Sequence, residues 1–301
     1  RQAAAYAIDR NFFAKVIMMG LVTPSATPIT PFSPFYTKDV NMYDVNLEKA
    51  KKLLDEAGYP VKADGTRFTV TVDYAPGSPT TKMMAEYLKP QLAKVGIDAK
   101  IRISPDFGTW AERVSNYNFD ITTDNVFNWG DPVIGVHRTY SSANIVKGVP
   151  FSNTQQYRNP KVDAIMEQAA SEVDNEKRAK LYKEFQQIVM NDVPIYFMTT
   201  TAYHTIYNKR VGNVPASIWG FLAPYMDVYL KKPRWTGPGG ETLRGPASSR
   251  TGAVPDVPVC HFSEWGPGPF ATYAESSYDV LACRRKTIVL GGRPARSGTV
   301  P

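Results

Sequence analysis

Cysteine is nearly absent from this chain: there are two in 301 residues, Cys260 and Cys283, and none in the first 259 positions. Two cysteines allow one bridge at most, which excludes a disulfide-framed scaffold and a thiolate metal cage. Histidine is equally sparse. His137, His204 and His261 stand far apart with no Cys/His cluster, so the sequence supplies no set of ligands for a metal centre. No run approaches the roughly 20 apolar residues of a membrane-spanning helix. The patterns that carry enzymatic chemistry are missing too, with no G-x-S-x-G, H-E-x-x-H, P-loop or G-x-G-x-x-G after a strand. The net charge of +7 is spread among mixed signs, and no basic run interleaves with aromatics, which argues against nucleic-acid binding. There is no leader segment and no initiator methionine. The chain opens at Arg1 inside an alanine-rich helical pattern, so a truncated start is expected and the compartment is not legible from targeting.

What is present is an α/β pattern of ordinary hydrophobic content, 43%. Ala4, Ile8, Phe12 and Val16 recur every fourth residue and predict one helix over residues 1–19, stopped by Gly20. Four prolines between residues 21 and 43 predict an extended connection over a surface. Residues 46–57 form a capped helix, with Asn46 at its start and Gly58 and Pro60 beyond its end. Phe68, Val70, Val72 and Tyr74 alternate as a half-buried strand, and Ile97, Ala99, Ile101 and Ile103 as another. Between them Pro79 opens a helix whose Met84, Leu88, Leu92 and Val95 face inward, with a kink expected at Pro90. Strand, helix and strand make a right-handed βαβ unit with parallel strands. A short helix follows at 109–116. Helices begin at Asn159-Pro160 and after Asp174, and an apolar strand begins at Ile195.

The stretch FDITTDNVFNWGDPVIGVHR, residues 119–138, lies where a short strand is expected to break into a loop. Such loops, at the carboxyl ends of strands, are where ligands bind in open α/β sheets. After about residue 233 the composition changes. Residues 234–301 hold 7 Arg but 1 Lys and 10 of the 21 glycines, with only 287–290 looking strand-like; an irregular or disordered tail is expected, from a frameshift or a fusion.

Four stretches together, RQAAAYAIDR, YDVNLEKAKKLLDEAGYP, the Trp-Gly-Asp-Pro loop and YRNPKVDAIMEQAASEVDNEKRAKLYKEFQQIVMNDVPIY, resemble the extracytoplasmic solute-binding proteins of peptide-type ABC importers. This is solute-binding family 5, the dipeptide, oligopeptide and nickel binders. The resemblance implies a type II periplasmic-binding-protein-like fold, with residues 1–209 as a second lobe built on a mixed sheet flanked by helices. It implies that residues 210–232 return to a first lobe that this chain lacks, and that the sheet and interlobe surface meant for that lobe are exposed. It further implies a monomer that captures a peptide or similar solute outside the cytoplasmic membrane, free in a periplasm or lipid-anchored. Solute would pass to ABC permease subunits on hinge closure, with no cofactor and no catalytic residue. A sensor or regulator reusing the fold is the alternative, and a hydrolase a more distant one.

In peptide-binding relatives, the loop matching this one carries an aspartate four residues before the proline, which pairs with the ligand's α-amino group. Here that position is Asn128, an amide that accepts a hydrogen bond but cannot form an ion pair, which disfavours a free-amino peptide. Asp124 and Asp131 are nearby carboxylates. Asp131 is better suited to capping its own turn before Pro132. Phe127 and Trp129 suit ligand stacking and core packing equally. Arg138 suits a bidentate clamp on a carboxylate, or a surface acid. Asn125 offers polar contacts, and Tyr140 is expected to continue the loop along the cleft. The candidate ligand residues are therefore Asn125, Phe127, Asn128, Trp129, Asp131, Arg138 and Tyr140, with no metal ligands. Asp163, Asp174 and Arg178 are expected to serve as caps and surface ion pairs.

Overall fold

The computed structural model describes residues 1–202, 205–215 and 222–231, together with the backbone strand 276–283. The βαβ unit forms as expected. Strand β2 (Phe68–Tyr74) and strand β3 (Ile97–Arg102) are parallel, Phe68 opposite Ile97, and helix α4 (Pro79–Ala93) crosses between them. Met84, Leu88, Leu92 and Val95 are buried against the sheet, and the helix runs through Pro90 without ending. Strand β4 (Ile121–Asn128) then lies parallel to β2 on its other side, reached through helix α5 (Phe107–Ser115). Asp106 starts α5 by accepting the Thr109 amide at 2.7 Å.

Antiparallel strands extend the sheet beyond β4. Strand β1 (Thr23–Pro24) pairs with β5 (Ile195–Ala202), and the six-stranded order is β1-β5-β8-β4-β2-β3. The strand between β5 and β4, β8 (Ser276–Cys283), is antiparallel to both. Within the stretch where an irregular tail is expected, residues 276–283 supply this central strand, while 287–290 and Cys260 lie outside the described residues. The physical reason is pairing. Facing strands β4 and β5 each present a row of N–H and C=O groups that a third strand satisfies. A separate two-stranded ribbon joins β6 (Val211–Gly212) to β7 (Tyr229–Leu230).

The capped helices stand as the sequence predicts. Helix α3 (Leu47–Glu56) has Asn46 accepting the Lys49 amide at 2.8 Å and buries Ala50 and Leu54, while Ala57 at its end is exposed. Helices α7 (Pro160–Ser171) and α8 (Asn175–Asp192) begin at Asn159 and Asp174 and pack together, burying Ile165, Met166, Phe185 and Val189.

The N-terminal helix does not form as one piece. Helix α1 (Gln2–Ala7) ends at extended Ile8, and a second short helix, α2 (Arg10–Phe12), continues into a π-helical turn over Phe13–Ile17. Asp9 caps the restart by accepting the Phe12 amide at 2.8 Å. Arg10 turns inward and is 6% exposed, donating to the carbonyls of Ser25 and Met42 at 2.6 and 2.7 Å and lying over the Tyr196 ring. The every-fourth-residue stripe is thereby lost: Ile8 is buried, but Phe12 and Val16 are 45% and 54% exposed. The proline-rich connection also differs, since residues 25–30 are all buried and Ile29 is fully so.

Candidate ligand-binding site

The site is built at the carboxyl end of β4. The strand is longer than expected: Asn125, Phe127 and Asn128, expected in a loop, pair as strand residues with 279, 277 and 276. Strand alternation turns Asn125 and Phe127 to one face and Asn128 to the other. Phe127 and Trp129 are only partly buried and stack with ring centroids 5.4 Å apart and planes inclined by 10°.

Asn128 is 4% exposed. Its amide nitrogen donates to the Pro28 carbonyl at 3.4 Å, and its Oδ1 is buried with no partner among the described residues. A buried amide oxygen without a donor costs on the order of 1–3 kcal/mol. The contact with Pro28 is what the buried connection at 25–30 provides, and a pairing across 100 positions leaves no local pattern.

The loop after Trp129 closes on itself. The Asp131 carbonyl accepts the Ile134 amide at 2.9 Å, the Ile134 carbonyl accepts the Trp129 amide at 3.4 Å, and Asp131 Oδ1 accepts the Val133 amide at 2.9 Å. Asp131 thus caps its turn as expected, and it does more. Both carboxylate oxygens receive the Arg178 guanidinium, at 2.6 and 2.7 Å. Burial pushes the Asp131 carboxyl up, but the Arg178 fork, the Val133 amide and the neighbouring charges outweigh it and hold it below the usual carboxylate range. Gly135 sits at φ +114°, with a hypothetical Cβ 2.2 Å from the Phe127 carbonyl oxygen, so only glycine lets the loop fold back onto β4.

Past the loop, helix α6 (Val136–Tyr140) replaces the expected continuation of the loop. It separates the remaining candidates. Arg138 is exposed, and among the described residues nothing pairs with its guanidinium. Tyr140 is 1% exposed and packs edge-on against Tyr157 and Phe185, so its ring is a core group and does not line a cleft. His137 stands 3.0 Å from the Tyr182 hydroxyl, and burial lowers its pKa to about 4, opposed by Asp131 and assisted by Arg178. His204 and His261 lie outside the described residues, and among those described no group of three or more His, Cys, Asp or Glu side chains could hold a metal.

Arg178 is no surface residue. It also donates from Nε to the Ala169 carbonyl at 2.9 Å and covers the rings of Phe35 and Tyr182 at 4.9 and 5.5 Å. Asp163 and Asp174 act as expected, one accepting the Ser142 amide at 2.8 Å and the other capping α8. A second charged cluster went unnoticed in the sequence. Asp73, fully buried in β2, is held by Arg102 at 2.9 and 2.8 Å and by Arg113 at 2.8 Å. Three residues 11 to 40 positions apart leave no local pattern.

Residues 1–147 match the family described as bacterial extracellular solute-binding proteins, family 5 (middle region). Over residues 1–147 the chain belongs to this family. Heme-binding protein A of Haemophilus influenzae is 30% identical over 229 residues, 75% of this chain and 40% of that relative. Oligopeptide-binding protein AppA of Bacillus subtilis is 27% identical over 246 residues, 78% and 43%. The chain therefore spans about 40% of the length of the curated relatives it matches. Among solved structures, HbpA2 from Haemophilus parasuis superposes with a TM-score of 0.60 at 27% identity, covering 77% of this chain and 44% of that one. AppA of B. subtilis with a nonapeptide superposes at 0.63 and 24%, covering 77% and 47%, a likeness of fold. The fold is the mixed-sheet α/β arrangement of type II periplasmic binding proteins, present in part. The named relatives are binding proteins. No helix among the described residues is long and apolar enough to cross a membrane.

Proposed function

We propose that this chain carries the ligand-contacting half of a substrate-binding component of an ABC importer, taking up a peptide or similar small solute reversibly and without chemistry. On this reading, residues 1–209 act as the second lobe and 210–232 lead back to the first. The loaded protein works outside the cytoplasmic membrane as a monomer and hands its solute to permease subunits when the lobes close. The observation that carries the reading is the end of β4. The partly exposed Phe127–Trp129 stack offers a surface to an apolar or planar ligand group, while Asn128, turned to the opposite face, keeps a buried oxygen with no donor among the described residues. Asn125 lies on the face of the stack, and exposed Arg138 beyond it has a guanidinium suited to a ligand carboxylate. Asp131 supports the site from behind, since Arg178 and Val133 occupy its oxygens.

Relatives named for heme, oligopeptides and glutathione show how widely ligands vary across the family. With a neutral amide at Asn128, where the family resemblance expects an aspartate, no carboxylate stands at that position to pair with a free α-amino group. A thermal-shift panel of tetraalanine, N-acetylated tetraalanine, glutathione, haem and nickel–histidine on the 301-residue chain tests this, because a ligand that binds only the folded state raises its melting temperature. The reading expects a shift with at least one organic solute, larger for acetylated than for free-amino tetraalanine. No shift with any member would overturn it.

A further inference from the structure

Resting on the binding reading above, we infer that Arg178 is a positioning residue for the ligand loop, setting through Asp131 where the Phe127–Trp129 stack stands. Arg178 lies in α8, 47 positions from Asp131. Its guanidinium is fixed on every side that matters. Nη1 and Nη2 fork the Asp131 carboxylate, Nε is held by the Ala169 carbonyl at the end of α7, and its planar surface packs on Phe35 and Tyr182. A guanidinium held this way presents a rigid, planar fork, which a flexible ammonium would not.

The carboxylate it grips has a second task. Oδ1 of Asp131 also accepts the Val133 amide, and the Asp131 carbonyl accepts that of Ile134, whose own carbonyl accepts the Trp129 amide. An unbroken run of contacts therefore leads from Arg178 through Asp131 and Ile134 to the backbone of Trp129. Gly135 removes the slack, because its close approach to the Phe127 carbonyl leaves no room for the loop to slide along β4. A pair that only added stability would not need one carboxylate to close the turn and meet the fork at once. The Arg178 side chain is 14% exposed and that of Asp131 37%, so water screens the pair less than it would an exposed one. In this arrangement α8 supports the Asp-Pro turn, and the turn holds the backbone of Trp129 in place.

Hydrogen exchange read by mass spectrometry over residues 129–137 tests the inference in the full chain, using R178Q, D131N, the double variant and R178K. In R178Q the Val133 and Ile134 amides should exchange about tenfold faster, the loss of one hydrogen bond's worth of protection, while α4 and β2 keep wild-type rates. D131N, which keeps an acceptor for Val133 but loses the charge, should change in the same direction. The double variant should exchange no faster than the more affected single one, since both residues act through one contact. R178K should recover part of the protection. Unchanged loop exchange in R178Q, additive effects in the double variant, or faster exchange spread evenly over α4 and β2 would each overturn the inference. Calorimetric titration of the wild-type chain with tetraalanine, glutathione and haem reports separately on binding. No heat from any of them would overturn the binding reading, while exchange still decides whether Arg178 places the loop.

Discussion

His137 is a histidine kept neutral by its surroundings. Its ring is tucked against Tyr182 with Arg178 close by, and burial lowers its pKa from 6.5 to about 4 despite the Asp131 carboxylate. Between those two values the unfolded chain binds a proton that the folded chain refuses, so stability rises with pH across that window. It is complete above about pH 6.5 and lost towards pH 4, a swing of about 3 kcal/mol for this one group. Replacing His137 with Phe should flatten that part of the stability–pH curve, which urea midpoints at pH 7 and pH 4.5 would show. An unchanged slope would mean that the ring is solvated. Gly135 makes a second prediction at this scale. Alanine there combines a positive φ with a Cβ driven into the Phe127 carbonyl, and should cost about 2–3 kcal/mol by urea denaturation. Neither residue announces its role in the sequence, because the burial of one and the close approach of the other depend on contacts with distant elements.

At the scale of elements, what was legible is what is local. The starts of α3, α7 and α8 follow from Asn46, Asn159 and Asp174, whose side chains bond amides two or three positions on. Asn46→Ala should therefore cost about 1 kcal/mol and fray α3 first, as hydrogen exchange at residues 47–50 would show. The parallel β2–α4–β3 unit was equally legible, since alternation and helical spacing are properties of the segment itself. What failed had distant causes. The break after Ala7 exists because Arg10 turns in towards Ser25, Met42 and Tyr196, which no periodicity within residues 1–19 encodes. Strand β4 continues through Asp124 and Asn125, poor strand formers, because residues 276–283 pair with it along its whole length. Composition averaged over residues 234–301 predicts irregular structure and hides a strand of eight residues.

Across the whole molecule, the family was legible because four separated motifs agree in order, and a resemblance of that kind survives errors in single elements. The site was legible in its outline alone. The strand end and the aromatic pair stand together, whereas Asn128 turns to the opposite face, Tyr140 belongs to the core and Arg178 joins the loop from 47 positions away. Sequence neighbours suggested a site lining the loop, but helix α6 carries the chain away from it after Gly135. We take the end of β4 to be the surface that touches solute. The most direct test is calorimetric titration of wild-type and Trp129→Ala chains with whichever solute in the thermal-shift panel gives the largest shift. Loss of one face of the aromatic stack should weaken binding by about tenfold or more while the urea midpoint stays near wild type. Equal affinity in the two proteins would contradict the claim and place the binding surface elsewhere on the chain.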